Sequence, residues 1–130
     1  MILVDSSVWI DYFNGVLTHE TNKLDEILGL EEVVIGDLIL TEVLQGFRND
    51  KDFKIAKDIL TSLNVYEMLG TELALKSAYN FRRLRKQGIT IRKTADVIIA
   101  TYAIENKLPL LFSDKDFLPF VRLLDLQTVC

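Results

Sequence analysis

Acidic residues stand at the ends of two apolar runs in this sequence. Asp5 follows the apolar residues 2–4, and Asp114 comes shortly after the apolar residues 110–112. A third acid, Asp96, lies in the first turn of a predicted helix that is otherwise almost entirely apolar. In an open parallel sheet, the carboxyl ends of the strands and the starts of the following helices meet at one edge. Carboxylates gathered there repel one another, so a divalent metal ion is the simplest partner that would hold them together.

Each of these acids also has an ordinary structural interpretation. Asp5 could cap the helix that follows it, and Asp96 could be present because the helix dipole favours a carboxylate in the first turn. Asp114 and Asp116 lie on either side of Lys115 just past a predicted strand, where turn-forming acids are common. No single acid is convincing by itself, and only their joint placement favours a metal site.

The composition indicates one domain that spans residues 1–130. A chain of 130 residues with 49% hydrophobic content can bury a single core. No apolar run approaches the roughly 18 residues needed to cross a bilayer, and Asp5 interrupts the first run too early for a secretory signal. Cys130 is the only cysteine, which excludes an intramolecular disulfide and a thiolate metal site. These features predict a cytoplasmic protein that does not enter a membrane.

Apolar periodicity predicts strands that alternate with helices. Ser6 and Ser7 are expected to cap the first helix, where either hydroxyl could also orient Asp5. Thr94 is expected to cap the last long helix, which is apolar almost all round and therefore buried. Alternating strands and helices imply an α/β fold with a central parallel sheet covered on both faces, a three-layer α/β/α sandwich. The predicted strands are 1–5, 33–36, 65–68, 109–112 and 126–129, and the predicted helices are 8–13, 21–30, 39–47, 53–63, 71–87 and 95–106.

The charge of the chain is unevenly distributed. A net charge of −4 argues against a nucleic-acid binder, but a metal bound among the acids would reverse the local sign. A basic block could bind a phosphate backbone, although a solvated helix face is the commoner meaning of such a run. The basic residues considered as RNA ligands are Arg82, Arg85, Lys86, Arg92 and Lys93.

Other side chains capable of chemistry have simpler meanings. Glu42 lies at the margin of an apolar helical stripe, so by itself it is expected to face solvent. His19 is the only histidine, which excludes the usual histidine-based catalytic triads. Trp9 and Phe13 are four residues apart and are expected to fill a core or a subunit interface rather than stack on a base.

Four sequence blocks resemble successive motifs of the PIN-domain family. They are Val-Asp-Ser-Ser-Val-Trp-Ile at 4–10, Leu-Thr-Glu-Val-Leu-Gln-Gly at 40–46, Arg-Lys-Thr-Ala-Asp-Val-Ile-Ile-Ala at 92–100 and Phe-Ser-Asp-Lys-Asp-Phe at 112–117. Together they span essentially the whole chain in the right order and at the right spacing. The chain is most similar to the VapC-type toxins of bacterial and archaeal toxin–antitoxin pairs.

The resemblance implies a PIN-like sandwich and cleavage of RNA that depends on Mg²⁺ or Mn²⁺. It assigns the catalytic acids to Asp5, Glu42, Asp96 and Asp114, and it changes the expectation for Glu42 from a surface residue to a site residue. Asp5 and Asp96 are expected to hold the principal ion directly. With water as the nucleophile, the products would carry 5′-phosphate and 3′-hydroxyl ends. Two further positions are implicated: Asp116 as a possible additional metal ligand, and Ser6 as the hydroxyl that supports the first aspartate.

The resemblance also implies partners. Members of this family pair with a small antitoxin of the VapB type and usually form homodimers, so both are expected here. Trp9, Ile10 and Phe13 are predicted to contribute to such an interface. The alternative interpretation is a non-catalytic PIN-like module that binds or scaffolds without cutting RNA.

Overall fold

A parallel four-stranded sheet forms the centre of the fold. The structure is a computed structural model that describes residues 1–129. The strands are β1 (Ile2–Val4), β2 (Val33–Gly36), β3 (Asn64–Tyr66) and β4 (Leu110–Leu111), in the spatial order β3-β2-β1-β4. The flanking helices are α1 (Ser6–Phe13), α2 (His19–Ile27), α3 (Asp37–Leu44), α4 (Asp50–Thr61), α5 (Thr71–Lys86), α6 (Thr94–Glu105) and α7 (Leu118–Leu123), with a 3₁₀ turn at Lys115–Phe117 before α7.

The strands are apolar because helices cover the sheet. Leu3 and Val4 in β1, and Val34 and Ile35 in β2, are completely buried. Continuous apolar strands are characteristic of parallel sheets whose two faces are both packed. The predicted α/β architecture with a central parallel sheet is therefore confirmed.

The strand predicted at 126–129 is wrong. In this segment Thr128 forms an isolated parallel bridge to Leu110. The Leu110 N–H donates to the Gln127 carbonyl over 2.9 Å and the Val129 N–H donates to the Leu110 carbonyl over 3.3 Å, so the segment pairs with β4 at a single residue.

Two predicted helix caps are also wrong. Helix α1 begins at Ser6, and its cap is the preceding Asp5 rather than a serine. Thr94, the predicted cap, is instead the first residue of helix α6. The cap position is Lys93, and no side chain among the described residues caps this helix. Helix α4 is capped by Asn49, for which no cap was predicted. Asn49 Oδ1 accepts hydrogen bonds from the N–H groups of Lys51 and Asp52.

The pairing of β1 with β4 determines where the site forms. Val4 lies opposite Leu111 in the parallel register, and the Asp5 N–H donates to the Leu111 carbonyl over 2.9 Å. The residues that leave these two strands, Asp5 and Phe112, therefore lie side by side, and Ser113 and Asp114 follow directly. Helix α6 is buried on several sides as expected, with Val97, Ile99, Ala100 and Ala103 in the core. In the part of the chain that the structure describes, none of the helices is long and apolar enough to cross a membrane.

Candidate metal centre

Asp5 combines a structural role with a free carboxylate oxygen. Its Oδ2 accepts hydrogen bonds from the Ser7 N–H over 3.1 Å and from Ser7 Oγ over 2.6 Å, which caps α1. Its Oδ1 is buried and has no hydrogen-bond partner among residues 1–129. Burial raises the pKa of the Asp5 carboxyl, and the bonds from Ser7 oppose that shift. A buried oxygen without a partner is costly, so Oδ1 is well suited to a cation.

Asp96 presents a second free oxygen from the first turn of α6. The residue is only 4% exposed, and its Oδ2 is buried without a partner in the described chain. Burial raises the pKa of Asp96 to about 7, and the negative charges of Asp5 and Asp114 add to this shift. A carboxyl whose pKa rises because it is buried beside other carboxylates is typical of a functional site.

Glu42 reaches the same region from α3. It is half-buried, so the expectation of a solvent-facing residue is wrong. Burial raises its pKa, and the charge of Asp5 raises it further. Ser6 Oγ donates a hydrogen bond to Glu42 Oε1 over 3.2 Å. Ser6 therefore orients Glu42, while the hydroxyl that supports Asp5 belongs to Ser7.

The last two acids follow β4. Asp114 caps the 3₁₀ turn, with its Oδ1 accepting the Asp116 N–H over 2.9 Å. Asp96, Asp114 and Asp116 each offer a carboxylate oxygen, and these oxygens all lie within 4.8 Å of one another. The turn-forming interpretation of Asp114 is therefore correct, and the turn also brings Asp116 beside Asp96.

A hydroxyl contact that the sequence analysis missed connects the two strand ends. Ser7 Oγ, which donates to Asp5, accepts from Ser113 Oγ over 3.3 Å and from the Ser113 N–H over 3.4 Å. Ser113 immediately precedes Asp114, so Ser7 links the two acids. Ser113 lies 106 positions from Ser7, and no local pattern could have paired them.

Two basic residues contact the acids directly. Lys93 Nζ lies 3.5 Å from Asp114 Oδ2, and Arg92 Nη2 lies 3.3 Å from Asp116 Oδ2. The charge of Asp96, followed by that of Asp114, raises the pKa of the Lys93 ammonium. In this structure, therefore, both basic side chains are paired with acids of the cluster.

The remaining basic residues lie elsewhere, on the last two turns of α5. Arg82 and Arg85 line an apolar groove of about 560 Å³ between α5 and α6. The Arg85 guanidinium lies 5.4 Å from the centre of the Phe81 ring. The predicted basic block is thus two separate groups, of which only Arg92 and Lys93 contact the acids.

The donor set fits a hard divalent cation. The acids come from the residue after β1, from α3, from α6 and from the turn after β4, and burial and the charges of Asp5, Asp114 and Glu42 raise the pKa of Asp96. Oxygen ligands of this kind suit Mg²⁺ and Mn²⁺. This fit is supported by two buried carboxylate oxygens that have no partner among the described residues, Asp5 Oδ1 and Asp96 Oδ2.

The predicted contribution of Trp9 to an exposed interface is wrong. Trp9 is completely buried and stacks on Phe13 with ring centroids 5.8 Å apart. Ile10 is 39% exposed and lines a small groove with Phe47, while Phe13 and Phe47 line an adjoining groove of about 370 Å³. Only Ile10 and Phe13 of the three predicted residues remain available to a partner.

The sequence matches the PIN domain family over residues 2–121. Because the match covers most of the chain, this protein belongs to the PIN domain family. The family resemblance drawn from the four sequence blocks is therefore confirmed.

Two relatives are similar along nearly their entire length. Ribonuclease VapC11 of Mycobacterium tuberculosis and a VapC ribonuclease of Mycobacterium bovis are each 29% identical to this chain. Each alignment covers 98% of this chain and 96% of the relative.

Solved structures share the fold at lower sequence identity. VapBC2 from Rickettsia felis, crystallised with a DNA fragment of its promoter, has a TM-score of 0.77 at 19% identity and covers 98% of this chain and 97% of its own. VapBC-1 from nontypeable Haemophilus influenzae has a TM-score of 0.73 at 20% identity, with 98% and 96% covered. VapC20 of Mycobacterium tuberculosis, a toxin that cleaves the sarcin-ricin loop, has a TM-score of 0.70 at 14% identity, with 92% and 94% covered.

Proposed function

We propose that this chain is a ribonuclease toxin of the VapC type that depends on a divalent metal. The observation that carries the proposal is the pair of buried carboxylate oxygens, on Asp5 and Asp96, that have no partner among residues 1–129. The Asp96 carboxylate also lies in a cluster with those of Asp114 and Asp116, and burial, followed by the charge of Asp5, raises its pKa. The relatives named VapC ribonucleases, which align over nearly the full chain, support the same activity.

Each acid has a distinct role in this proposal. Asp5 and Asp96 hold Mg²⁺ or Mn²⁺ through their free oxygens, and Glu42 and Asp114 complete the negative environment that recruits the ion. Asp116 is the further acid beside Asp96 and Asp114. When bound, the metal lowers the pKa of a water molecule and neutralises charge on the phosphodiester.

The hydroxyl residues fix the geometry before substrate arrives. Ser7 holds Asp5 through two hydrogen bonds, and Ser6 holds Glu42 through one. The nucleophile is water rather than the ribose 2′-hydroxyl, so no cyclic phosphate forms. With the ribose 3′ oxygen as the leaving group, which takes up a proton, hydrolysis leaves a 5′-phosphate and a 3′-hydroxyl.

Cleavage of a cellular RNA pool tests this proposal. Purified chain is incubated with Mg²⁺, with Mn²⁺ and with EDTA, beside the double variant Asp5→Asn/Asp96→Asn. Asp58→Asn, which changes an exposed acid on α4, is the matched control. We expect discrete 5′-phosphorylated fragments from wild type and the control only when metal is present. Products that end in a 2′,3′-cyclic phosphate would contradict the mechanism.

The non-catalytic alternative predicts no cleavage in the same assay. A scaffold has no need of mutually repelling carboxylates in a partly buried cluster, where burial and the charges of Asp5, Asp114 and Glu42 raise the pKa of Asp96. We therefore favour the nuclease over the scaffold.

We also propose a VapB-type antitoxin as the neutralising partner and a homodimer as the assembly. The structural neighbours VapBC2 and VapBC-1 support the antitoxin, since both are toxin–antitoxin complexes. The two adjoining grooves around Ile10, Phe13 and Phe47 are the surface proposed for antitoxin binding. We propose the cytoplasm as the location, because the proposed substrate is RNA.

A further inference from the structure

Asp114 differs from the other acids in having both carboxylate oxygens engaged. Its Oδ1 accepts the Asp116 N–H over 2.9 Å, and its Oδ2 lies 3.5 Å from the Lys93 ammonium. Asp5 and Asp96, in contrast, each keep one buried oxygen without a partner among residues 1–129. A metal that binds Asp114 Oδ2 therefore competes with the Lys93 ammonium for this oxygen, because the two cations repel each other.

Lys93 is well placed to leave. It immediately precedes α6, so its backbone is fixed three residues before Asp96. Its side chain is 59% exposed, so the ammonium can move into solvent without disturbing the core. A lysine side chain is flexible and carries a compact charge with three donors, which suits both an exchangeable ion pair and a phosphate contact.

We propose that Lys93 is the counter-ion that a divalent metal displaces from Asp114, and that the released ammonium then binds a phosphate of the RNA. This inference rests on the proposed function and adds a role for one residue of the same site. Lys93 acts in two successive states. Before the metal binds, it neutralises the charge of Asp114, and after the metal binds, it holds the phosphate backbone of the substrate beside the metal.

Titration of Mn²⁺ into the metal-free protein tests the first state without any RNA. Wild type, Lys93→Gln and Lys115→Gln are compared by calorimetry at one pH and low ionic strength. Lys115 is an exposed lysine between Asp114 and Asp116 that makes no ion pair in the described chain, so it controls for loss of a nearby charge. We expect Lys93→Gln to bind Mn²⁺ about three- to tenfold more tightly than wild type, because a competing cation has gone. The control is expected to change by less than about twofold, and added salt is expected to shrink both effects.

Cleavage of an RNA oligonucleotide at saturating Mn²⁺ tests the second state. Lys93→Gln is expected to raise KM several-fold, and the salt dependence of log KM is expected to weaken by about 0.7 for one lost phosphate contact on a single strand. Lys93→Arg keeps the positive charge and is expected to restore most of both properties. Simple structural damage would weaken metal binding, so tighter metal binding combined with a higher KM is the distinguishing result.

The inference requires both changes. Wild-type metal affinity in Lys93→Gln, or an unchanged KM, would overturn it while leaving the nuclease proposal intact. If the wild-type protein binds no Mn²⁺, the result contradicts the proposed metal-dependent function, and the role of Lys93 with it.

Discussion

The Ser7 hydroxyl lies 2.6 Å from Asp5 Oδ2 and, together with the Ser7 N–H, engages that oxygen completely. The same carboxylate keeps Oδ1 buried without a partner in the described chain. One aspartate thus caps a helix and still offers a metal ligand. The cap fixes the direction of the ligand, because the carboxyl cannot rotate without losing both hydrogen bonds.

Ser7→Ala should therefore weaken the site without removing any acid. The variant loses the hydroxyl bond to Asp5 and the contact with Ser113, so we expect metal affinity or activity to fall by about 10- to 100-fold. Metal titration and cleavage rates measure the effect. Ser62→Ala, at the exposed end of α4, is the control, and equal behaviour of the two variants would show that Ser7 does not position Asp5.

Asp96 should make the metal-free protein less stable as pH rises. Its pKa is 3.8 in a model peptide and about 7 in the folded chain. Between these values the folded state binds more protons than the unfolded state, so the unfolding free energy falls with rising pH. At pH 8 we expect Asp96→Asn to be more stable than wild type by about 1–3 kcal/mol, after allowing for solvent screening.

Denaturant unfolding in EDTA at pH 4 and pH 8 measures this difference. The gain in Asp96→Asn should be present at pH 8 and largely absent at pH 4, where the wild-type carboxyl is already protonated. Asp58→Asn controls for the loss of one charge. A wild-type protein that is as stable as Asp96→Asn at pH 8 would show that the folded state does not raise this pKa.

A bound divalent metal should offset the loss of stability that the ionised Asp96 carboxylate causes at high pH. Binding to the folded state alone stabilises it by about 2.7 kcal/mol at a hundredfold excess over Kd. We expect thermal melts of wild type to shift upward with Mn²⁺ and melts of Asp5→Asn/Asp96→Asn to stay unchanged. Equal shifts in both proteins would place the bound metal away from these two residues.

Ile10→Glu should weaken antitoxin binding while preserving the fold. Ile10 is 39% exposed, whereas Trp9 is completely buried, so only the former can be changed to an acid without opening the core. Co-purification with the cognate antitoxin measures binding, and Leu30→Glu, at a residue that is 79% exposed, is the control. Retention of wild-type antitoxin affinity in Ile10→Glu would exclude this groove as the binding surface.

The sequence predicted the parts of the site that depend on strand ends. Asp5 and Asp114 leave neighbouring strands and Asp96 begins a helix, so parallel-sheet geometry alone predicts that they meet. Glu42 required the family resemblance, because its helical periodicity placed it at the edge of the apolar stripe. The pairing of Ser7 with Ser113 and of Lys93 with Asp114 depends on side-chain rotamers and on contacts between distant segments, which periodicity does not encode.

The wrong prediction that Trp9 contributes to an exposed interface also arose because the sequence pattern does not encode contacts between distant segments. Two aromatic residues four positions apart produce the same sequence pattern in a core and in an interface. What decides between the two is the surrounding layer, here Phe13, Phe47 and the sheet beneath them. The final strand predicted at 126–129 pairs with β4 at Leu110 alone, and the extent of pairing between segments distant in sequence is not encoded in apolar periodicity.

A crystal structure of the protein soaked in Mn²⁺, with anomalous difference density, tests whether Asp5 and Asp96 bind the metal together. We predict a peak about 2.0–2.3 Å from both Asp5 Oδ1 and Asp96 Oδ2, the range for a small divalent ion bound by oxygen. Asp114 Oδ2 should then have lost its contact with Lys93. Full Mn²⁺ loading with no anomalous density between Asp5 and Asp96 would contradict the account.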